Sequence, residues 1–461
     1  MPKVVKNAAG NNIGVAHAAN KVSVVTLGCE KNTVDSEVIM GMLSRRGLVL
    51  EENAERADTV IINTCGFIDV AKKESVSEIL EALELKKQGT IRNVFVAGCL
   101  SERYRSELKE ELPEVDRFFG TQDFERMLEA VVPNSSHEPN LQHDLLGERC
   151  LTTPRHFAYM KISEGCDNPC SFCAIPIMRG GHRSRSIEEL EFEAMMLASN
   201  GVKEIVLIAQ DSTYYGLDKY GTRSLARLLK GLTRVNGIEW IRLMYAYPAK
   251  FPMEILEVIA GEAKIAKYLD IPVQHASTNV LKSMRRGITR RATEDLIGKI
   301  REQVPGITLR TTLIAGYPAE GEKEFAELEE FVEQMQFDRL GVFTYSQEEG
   351  TTAHPLGDLV PHEEKLRRQA RLYELQGEIS LEKNLAKIGS VQRVLIEREE
   401  EIENDVAGSL ANRIYYGRTE ADAPEVDNEI CINSYREIPI GEFMPVRITG
   451  AMEHELEGSL L

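Results

Sequence analysis

Three apolar runs, VSVVTLGC, TVIINTC and NVFVAGC, each end in a cysteine, and those cysteines, Cys29, Cys65 and Cys99, recur at intervals of 36 and 34 residues. Short β-branched runs bounded by Gly or Asn read as strands covered on both faces, the condition of a parallel sheet. The segments between them, 34–46 and 69–88, carry helical spacing and supply the crossovers. The first part of the chain is therefore expected to be a doubly wound α/β domain. In such a sheet the carboxyl ends share one edge, where ligands bind, so three cysteines at three strand ends converge there. A lone free cysteine is most often a small buried hydrophobe. Three in equivalent positions read as a ligand set.

A second trio, Cys166, Cys170 and Cys173, stands in GCDNPCSFC with gaps of three and two residues. Three thiolates on one tight loop can hold three corners of a cuboidal iron-sulfur cluster and leave the fourth iron without a protein ligand. A closed zinc knuckle is the competing reading. It needs a fourth protein ligand, and the nearest candidate, His182, lies beyond Gly180 and Gly181.

From about residue 156 to 350 the chain alternates strand-like and helix-like segments. The strand candidates are FAYMKIS, EIVLIA, WIRLMYA, YLDIPV, LRTTLIAG and RLGVFTYS, with amphipathic helices such as 187–198, 224–232 and 293–303 between them. Six β/α units predict a partial barrel. The second cysteine trio follows its first strand, at the carboxyl edge where such barrels place their chemistry. Gln210 with Asp211, Tyr245, Gln274 with His275, Gly316 with Pro318, and Tyr345 with Gln347 follow the later strands and are expected on the same rim. The basic run Arg179, His182, Arg183 and Arg185 suits a carboxylate.

At 461 residues the chain is long enough for two or three domains, and 43% hydrophobic content suffices for ordinary cores. Six of eight cysteines fall into the two trios; Cys150 and Cys431 read as unligated thiols. The first twenty residues, rich in Ala, Gly and Asn, read as a disordered lead-in without the apolar core of a signal peptide. No run is long and apolar enough to span a bilayer. Thiolate clusters without an export signal point to the cytoplasm.

The pieces TLGCEKNTVDSE, INTCGF, VAGC, KISEGCDNPCSFCAIPIMRGGHRSR, LIAGYP and FTYSQEEGT together resemble the methylthiotransferase family of radical S-adenosylmethionine (SAM) enzymes. The resemblance runs from Val22 to the C-terminus. It implies a cysteine-bearing N-terminal domain over 21–135, a radical SAM barrel over 150–385 and a small antiparallel β-barrel, the TRAM domain, over 388–461. It implies two 4Fe-4S clusters as cofactors, one on Cys166, Cys170 and Cys173 with SAM on its open iron, the other on Cys29, Cys65 and Cys99. Phe172 is then expected against the adenine, Gly316 in the motif that admits the adenosine, and Gln210 and Arg183 as further SAM contacts. The wording EGCDNPCSFCAIPIMRGGHRSR is most similar to the branch that methylthiolates the β-carbon of an aspartate in small-subunit ribosomal protein twelve. SAM there serves as radical source and methyl donor, with an electron donor and a sulfur source still to be identified.

Charge bears on the substrate. The chain carries −18, and residues 388–461 hold 6 Arg against 16 Asp and Glu, a net −10. Nucleic acid is held by neutralising phosphates, so a basic ribosomal protein matches this field better and nucleic acid is left a secondary contact. A tRNA adenosine methylthiotransferase is the alternative with the same chemistry. A two-cluster electron carrier, or a ribosome-binding adaptor, is the alternative without it.

Overall fold

The structure, a computed structural model, describes residues 4–6, 12–15, 20–132, 149–401 and 413–461. Val4–Lys6 and Asn12–Val15 pair as an antiparallel ribbon. The remainder of the expected lead-in lies outside the described residues, apart from Asn20. The chain divides into two compact units, residues 1–152 with 177–179, and 153–176 with 180–461.

In the first unit, β1 (Lys21–Thr26), β2 (Thr59–Thr64) and β3 (Asn93–Gly98) lie side by side, all parallel, flanked by the short edge strands Val49–Leu50 and Arg117–Phe118. Crossovers run through α1 (Glu30–Arg45) and α2 (Asp69–Lys87). Central β2 is buried along its whole length, and its alternate side chains separate two apolar layers. Val60 and Ile62 join Ile79 of α2 and Val94 and Val96 of β3. Ile61 joins Ile39 and Leu43 of α1 and Phe95 of β3 on the other face. An uninterrupted apolar run is what a strand needs when both faces are covered, each such side chain contributing about 1.5–3 kcal/mol.

The second unit opens with β4 (Phe157–Lys161), β5 (Glu204–Ile208), β6 (Trp240–Leu243), β7 (Ile265–Asp270), β8 (Thr308–Ala315) and β9 (Arg339–Thr344), in sequential parallel order. The six expected strands all form, and the sheet ends at β4 and β9 without closing. Helices α3 (Ile187–Ser199), α4 (Leu225–Leu232), α5 (Glu254–Gly261), α6 (Thr278–Ser283), α7 (Arg290–Gln303) and α8 (Glu322–Met335) fill the connections. The 24-residue α9 (His362–Leu385) has no counterpart in the sequence reading. It covers edge strand β9: Gln369 Nε2 donates to the Val342 carbonyl, and the Val342 amide donates to the Tyr373 hydroxyl.

The last module is a closed barrel of β10 (Val391–Glu401), β11 (Arg413–Thr419), β12 (Glu429–Ser434), β13 (Phe443–Ala451) and β14 (Glu455–Leu460), in the order β10-β11-β12-β14-β13. One correction to the sequence reading arises here. The barrel is not wholly antiparallel, since β12 and β14 run parallel. Its acidity is also not all surface, because part of it is spent beneath the neighbouring α/β barrel. Arg418 bonds Glu204, the first residue of β5, and Glu397. Asp422 bonds Arg339 of β9, and Asp427 accepts from the Tyr268 hydroxyl of β7. Glu397, Asp422 and Asp427 thus neutralise or partner residues inside the unit.

Candidate functional site

In the first unit each cysteine falls where its strand gives way to a turn. Cys29 is the N-cap of α1, Cys65 directly follows β2, and Cys99 opens a short helix after β3. Gly28 makes the approach fit. Its φ is +94°, and a β-carbon there would stand 2.9 Å from Cys65 Sγ. Asn32, fully buried, ties the strand ends together: its amide donates to the Leu27 carbonyl at 2.7 Å and the Thr64 carbonyl at 3.1 Å. Its oxygen faces Cys99 Sγ at 3.9 Å and accepts from Arg179 at 2.5 Å. Burial pushes the Cys99 thiol up to about 12, the other two sulfurs add to the rise, and Arg179 opposes it. Burial raises Cys65 as well, with Cys29 adding and Arg179 again opposing.

In the second unit the Cys166, Cys170 and Cys173 loop leaves β4 at its carboxyl end through the two-residue strand Ser163–Glu164, paired with Arg183–Ser184. Burial pushes Cys173 up to about 12, with Cys170 and Cys166 adding. Cys166 rises to about 11, again chiefly by burial, with Asp211 and Cys170 adding. Cys170 Sγ accepts from Arg286 Nη1 at 3.3 Å and meets the Tyr247 hydroxyl at 3.6 Å. Asn168 Nδ2 donates to Asp211 at 2.7 Å and reaches Cys166 Sγ at 3.5 Å. None of Asn168, Tyr247 or Arg286 was singled out from the sequence. Asn168 sits inside the cysteine run and Tyr247 just past a strand end, whereas Arg286 leaves no local signal.

The expected SAM contacts divide. Gln210 Nε2 donates to Glu164 Oε1 at 3.0 Å, beside the loop, and exposed Arg183 lies opposite Glu164 in the strand pair. Phe172 packs on an apolar cluster of Val280, Met284, Tyr317, Tyr345 and Ala353. Gly316 has φ +80°, but the space a β-carbon would take there is held by Lys365, whose Cγ would be 2.3 Å away. This glycine therefore admits a lysine stem of its own chain. The basic run is mostly committed to internal partners: Arg179 bonds Asp35 and Asn32, and Arg185 bonds Glu193 and the Lys161 carbonyl. His182 Nε2 is bonded to Ser184 Oγ at 3.1 Å.

Among the described residues no three His, Cys, Asp or Glu side chains gather around one metal ion. A cuboidal cluster asks for something different, one thiolate per iron corner. Both trios suit that group: the donors are sulfur, and the burial that raises Cys65, Cys99, Cys166 and Cys173 makes their free thiolates costly unless a cationic centre neutralises them. At the rim, Tyr245 and Gln274 take left-handed backbone angles, φ 61° and 72°, which nonglycine residues accept only where the surroundings enforce them.

Family models match the chain in three places: uncharacterized protein family UPF0004 at residues 21–120, the radical SAM superfamily at 160–332 and the TRAM domain at 388–461. Among solved structures, a radical S-adenosylmethionine methyltransferase from Kitasatospora setae, TsrM, aligns with a TM-score of 0.55 at 13% identity, over 85% of this chain and 80% of that one. That likeness is one of fold. With the cysteine loop at the end of β4 and the superfamily match, it defines a radical SAM enzyme. The relatives narrow the class. The chain is 51% identical to the ribosomal protein uS12 methylthiotransferase RimO of Christiangramia forsetii over 96% of its own length and 94% of that protein's. It is 51% identical to the RimO of Flavobacterium johnsoniae and 45% to that of Bacteroides thetaiotaomicron, over 95% and 96% of its length and 98% of each of theirs. The chain belongs to the RimO family of methylthiotransferases.

Proposed function

We propose that this protein replaces a hydrogen on the β-carbon of an aspartate of ribosomal protein uS12 with a methylthio group. Cys166, Cys170 and Cys173 would hold one 4Fe-4S cluster, and Cys29, Cys65 and Cys99 a second. The observation that carries the reading is that both thiol trios stand at the carboxyl ends of parallel strands, where α/β folds put their chemistry. When bound, a three-thiolate cluster with SAM on its open iron supplies a carbon radical that takes hydrogen from a carbon no side-chain base can deprotonate. The chain's own residues orient and shield that chemistry. Asn168, Tyr247 and Arg286 fix two of the three sulfurs of the barrel loop. Gln210 bonds Glu164 beside the loop, Arg183 stands opposite Glu164 in the strand pair, and the cluster under Phe172 supplies an apolar wall where an adenine ring can stack. In the first unit Asn32 and Arg179 set the spacing and charge around the second trio.

The acidic chain suits a basic protein substrate, and the family relatives are named for uS12. The TRAM match leaves room for a secondary nucleic-acid contact, for which this family of barrels is suited. No helix among the described residues is long and apolar enough to cross a membrane. The test is intact-mass measurement of uS12 before and after anaerobic incubation with the enzyme, SAM, sulfide and a reductant. Gain of one methylthio group on native uS12 supports the proposal. Modification of tRNA with uS12 left unchanged would transfer the reading to the adenosine-modifying alternative.

A further inference from the structure

A groove of the barrel unit, about 960 Å³, has no part in the chemistry above. Its apolar floor includes Pro248, Phe251, Met253, Ile288 and Leu296, and its rim carries Lys250, Lys282, Arg285 and Lys299 against a single acid, Asp295. The lining is therefore +3 in a chain of −18. All four bases are exposed, and none makes an ion pair or side-chain hydrogen bond among the described residues. Elsewhere on this protein arginines and lysines are commonly paired. Leaving four cations unpaired around an apolar depression keeps them available to an outside anion.

The groove also lies against the cluster loop. Pro169, part of its lining, precedes Cys170. Two of its walls continue directly into the side chains that touch Cys170 Sγ: Pro248 follows Tyr247, and Arg285 precedes Arg286. The guanidinium of Arg286 stacks on the Tyr247 ring at 4.2 Å, and the Tyr247 hydroxyl donates to the Arg286 carbonyl at 2.9 Å, so the wall is rigid where it meets the sulfur. Ser171 is fixed to the same wall through the Met284 and Ser283 carbonyls.

We propose that this groove is the docking surface for an acidic one-electron carrier protein that reduces the cluster held by Cys166, Cys170 and Cys173. The inference rests on the radical SAM reading above. The transfer moves one electron from the carrier's cofactor to the cluster, with no bond made or broken. Charge complementarity selects the partner, since a basic substrate protein would be repelled by this rim while an acidic carrier is steered to it, faster at low ionic strength. Proximity assigns the purpose, because a carrier seated here adjoins Pro169 of the cluster loop and the chain neighbours of Tyr247 and Arg286, the two side chains that touch Cys170 Sγ.

The test uses full-length reconstituted enzyme with Lys282→Glu and Lys299→Glu together, which turns the lining from +3 to −1. Binding of oxidised flavodoxin, as an acidic probe, is measured by calorimetry at two salt concentrations, and 5′-deoxyadenosine release is followed with reduced flavodoxin and, separately, with dithionite. The expected result is flavodoxin binding weakened at least tenfold, its salt dependence flattened, and flavodoxin-driven release slowed, with the dithionite-driven rate unchanged. Equal flavodoxin binding by both proteins overturns the proposal. Loss of the dithionite-driven rate also overturns it, by showing that the lysines support the cluster loop. A selective loss of binding to small-subunit ribosomal RNA, with flavodoxin binding intact, would make the groove a nucleic-acid contact instead. Failure of the native enzyme to modify uS12 would sink the functional reading alone, because carrier binding is read without it.

Discussion

Arg418 links the C-terminal barrel to the α/β barrel, and replacing it with Ala gives a quantitative expectation. Its guanidinium is 2% exposed and donates to Glu204 Oε2 at 2.6 Å, Glu397 Oε1 at 2.7 Å and the Asp422 carbonyl at 2.9 Å. Breaking a buried ion pair by removing one partner costs about 3–5 kcal/mol. The lower end applies here, because Glu204 keeps Arg242 at 2.7 Å and Glu397 keeps His156 at 3.1 Å. We expect about 3 kcal/mol. The effect also has a pH signature. Burial alone would raise the Glu397 carboxyl, yet the His156 hydrogen bond and the Arg418 charge hold it at about 2, below the ordinary 4.5. A carboxylate lowered on folding stabilises the fold above pH 4.5, and that contribution, about 3 kcal/mol, is lost as pH falls toward 2. Arg418→Ala should therefore unfold more easily at neutral pH and show a shallower loss of stability on acidification. Trp240 is the sole tryptophan and packs edge-to-face on Phe443 of the C-terminal barrel, so urea unfolding followed by its fluorescence reports this contact. An unchanged urea midpoint, or an acid dependence identical to the native protein's, would refute the reasoning.

Three further outcomes are expected. Cys65→Ala should lower the iron content after anaerobic reconstitution from about eight to about four per chain, retaining SAM cleavage and losing methylthiolation; full iron content would refute the assignment. Asn32→Ala leaves the buried Leu27 and Thr64 carbonyls without their donor, so thermal unfolding should show a loss of about 2–4 kcal/mol, with poorer iron retention in the same half of the protein. Tyr247→Phe removes one hydroxyl between Cys170 Sγ and the Arg286 carbonyl; stability should fall by only about 1 kcal/mol, while redox titration of the barrel cluster should show a shifted potential.

The strand-ending cysteines and the loop thiols were legible because their signals are local. A fully apolar β-branched run such as Thr59–Thr64 can satisfy its side chains only with cover on both faces, and the cysteine after it inherits a place at the sheet's carboxyl edge. The same locality explains what escaped notice. The parallel pairing of Glu429–Ser434 with Glu455–Leu460 joins strands that are not consecutive in the chain. The role of Arg286 arises from the way its turn meets the Cys170 loop, 116 residues away.

Sequence alone thus determined the order of modules, the two parallel sheets and the six thiols at their strand ends, since strand propensity, apolar period and short-range spacing are properties of neighbouring residues. Only the tertiary structure decided which charges are spent inside the protein, which arginine faces a sulfur, and that Lys365 fills the space beside Gly316. Those outcomes depend on side chains brought together from distant parts of the chain, and a charge counted along a sequence says nothing of which opposite charge folding will set against it.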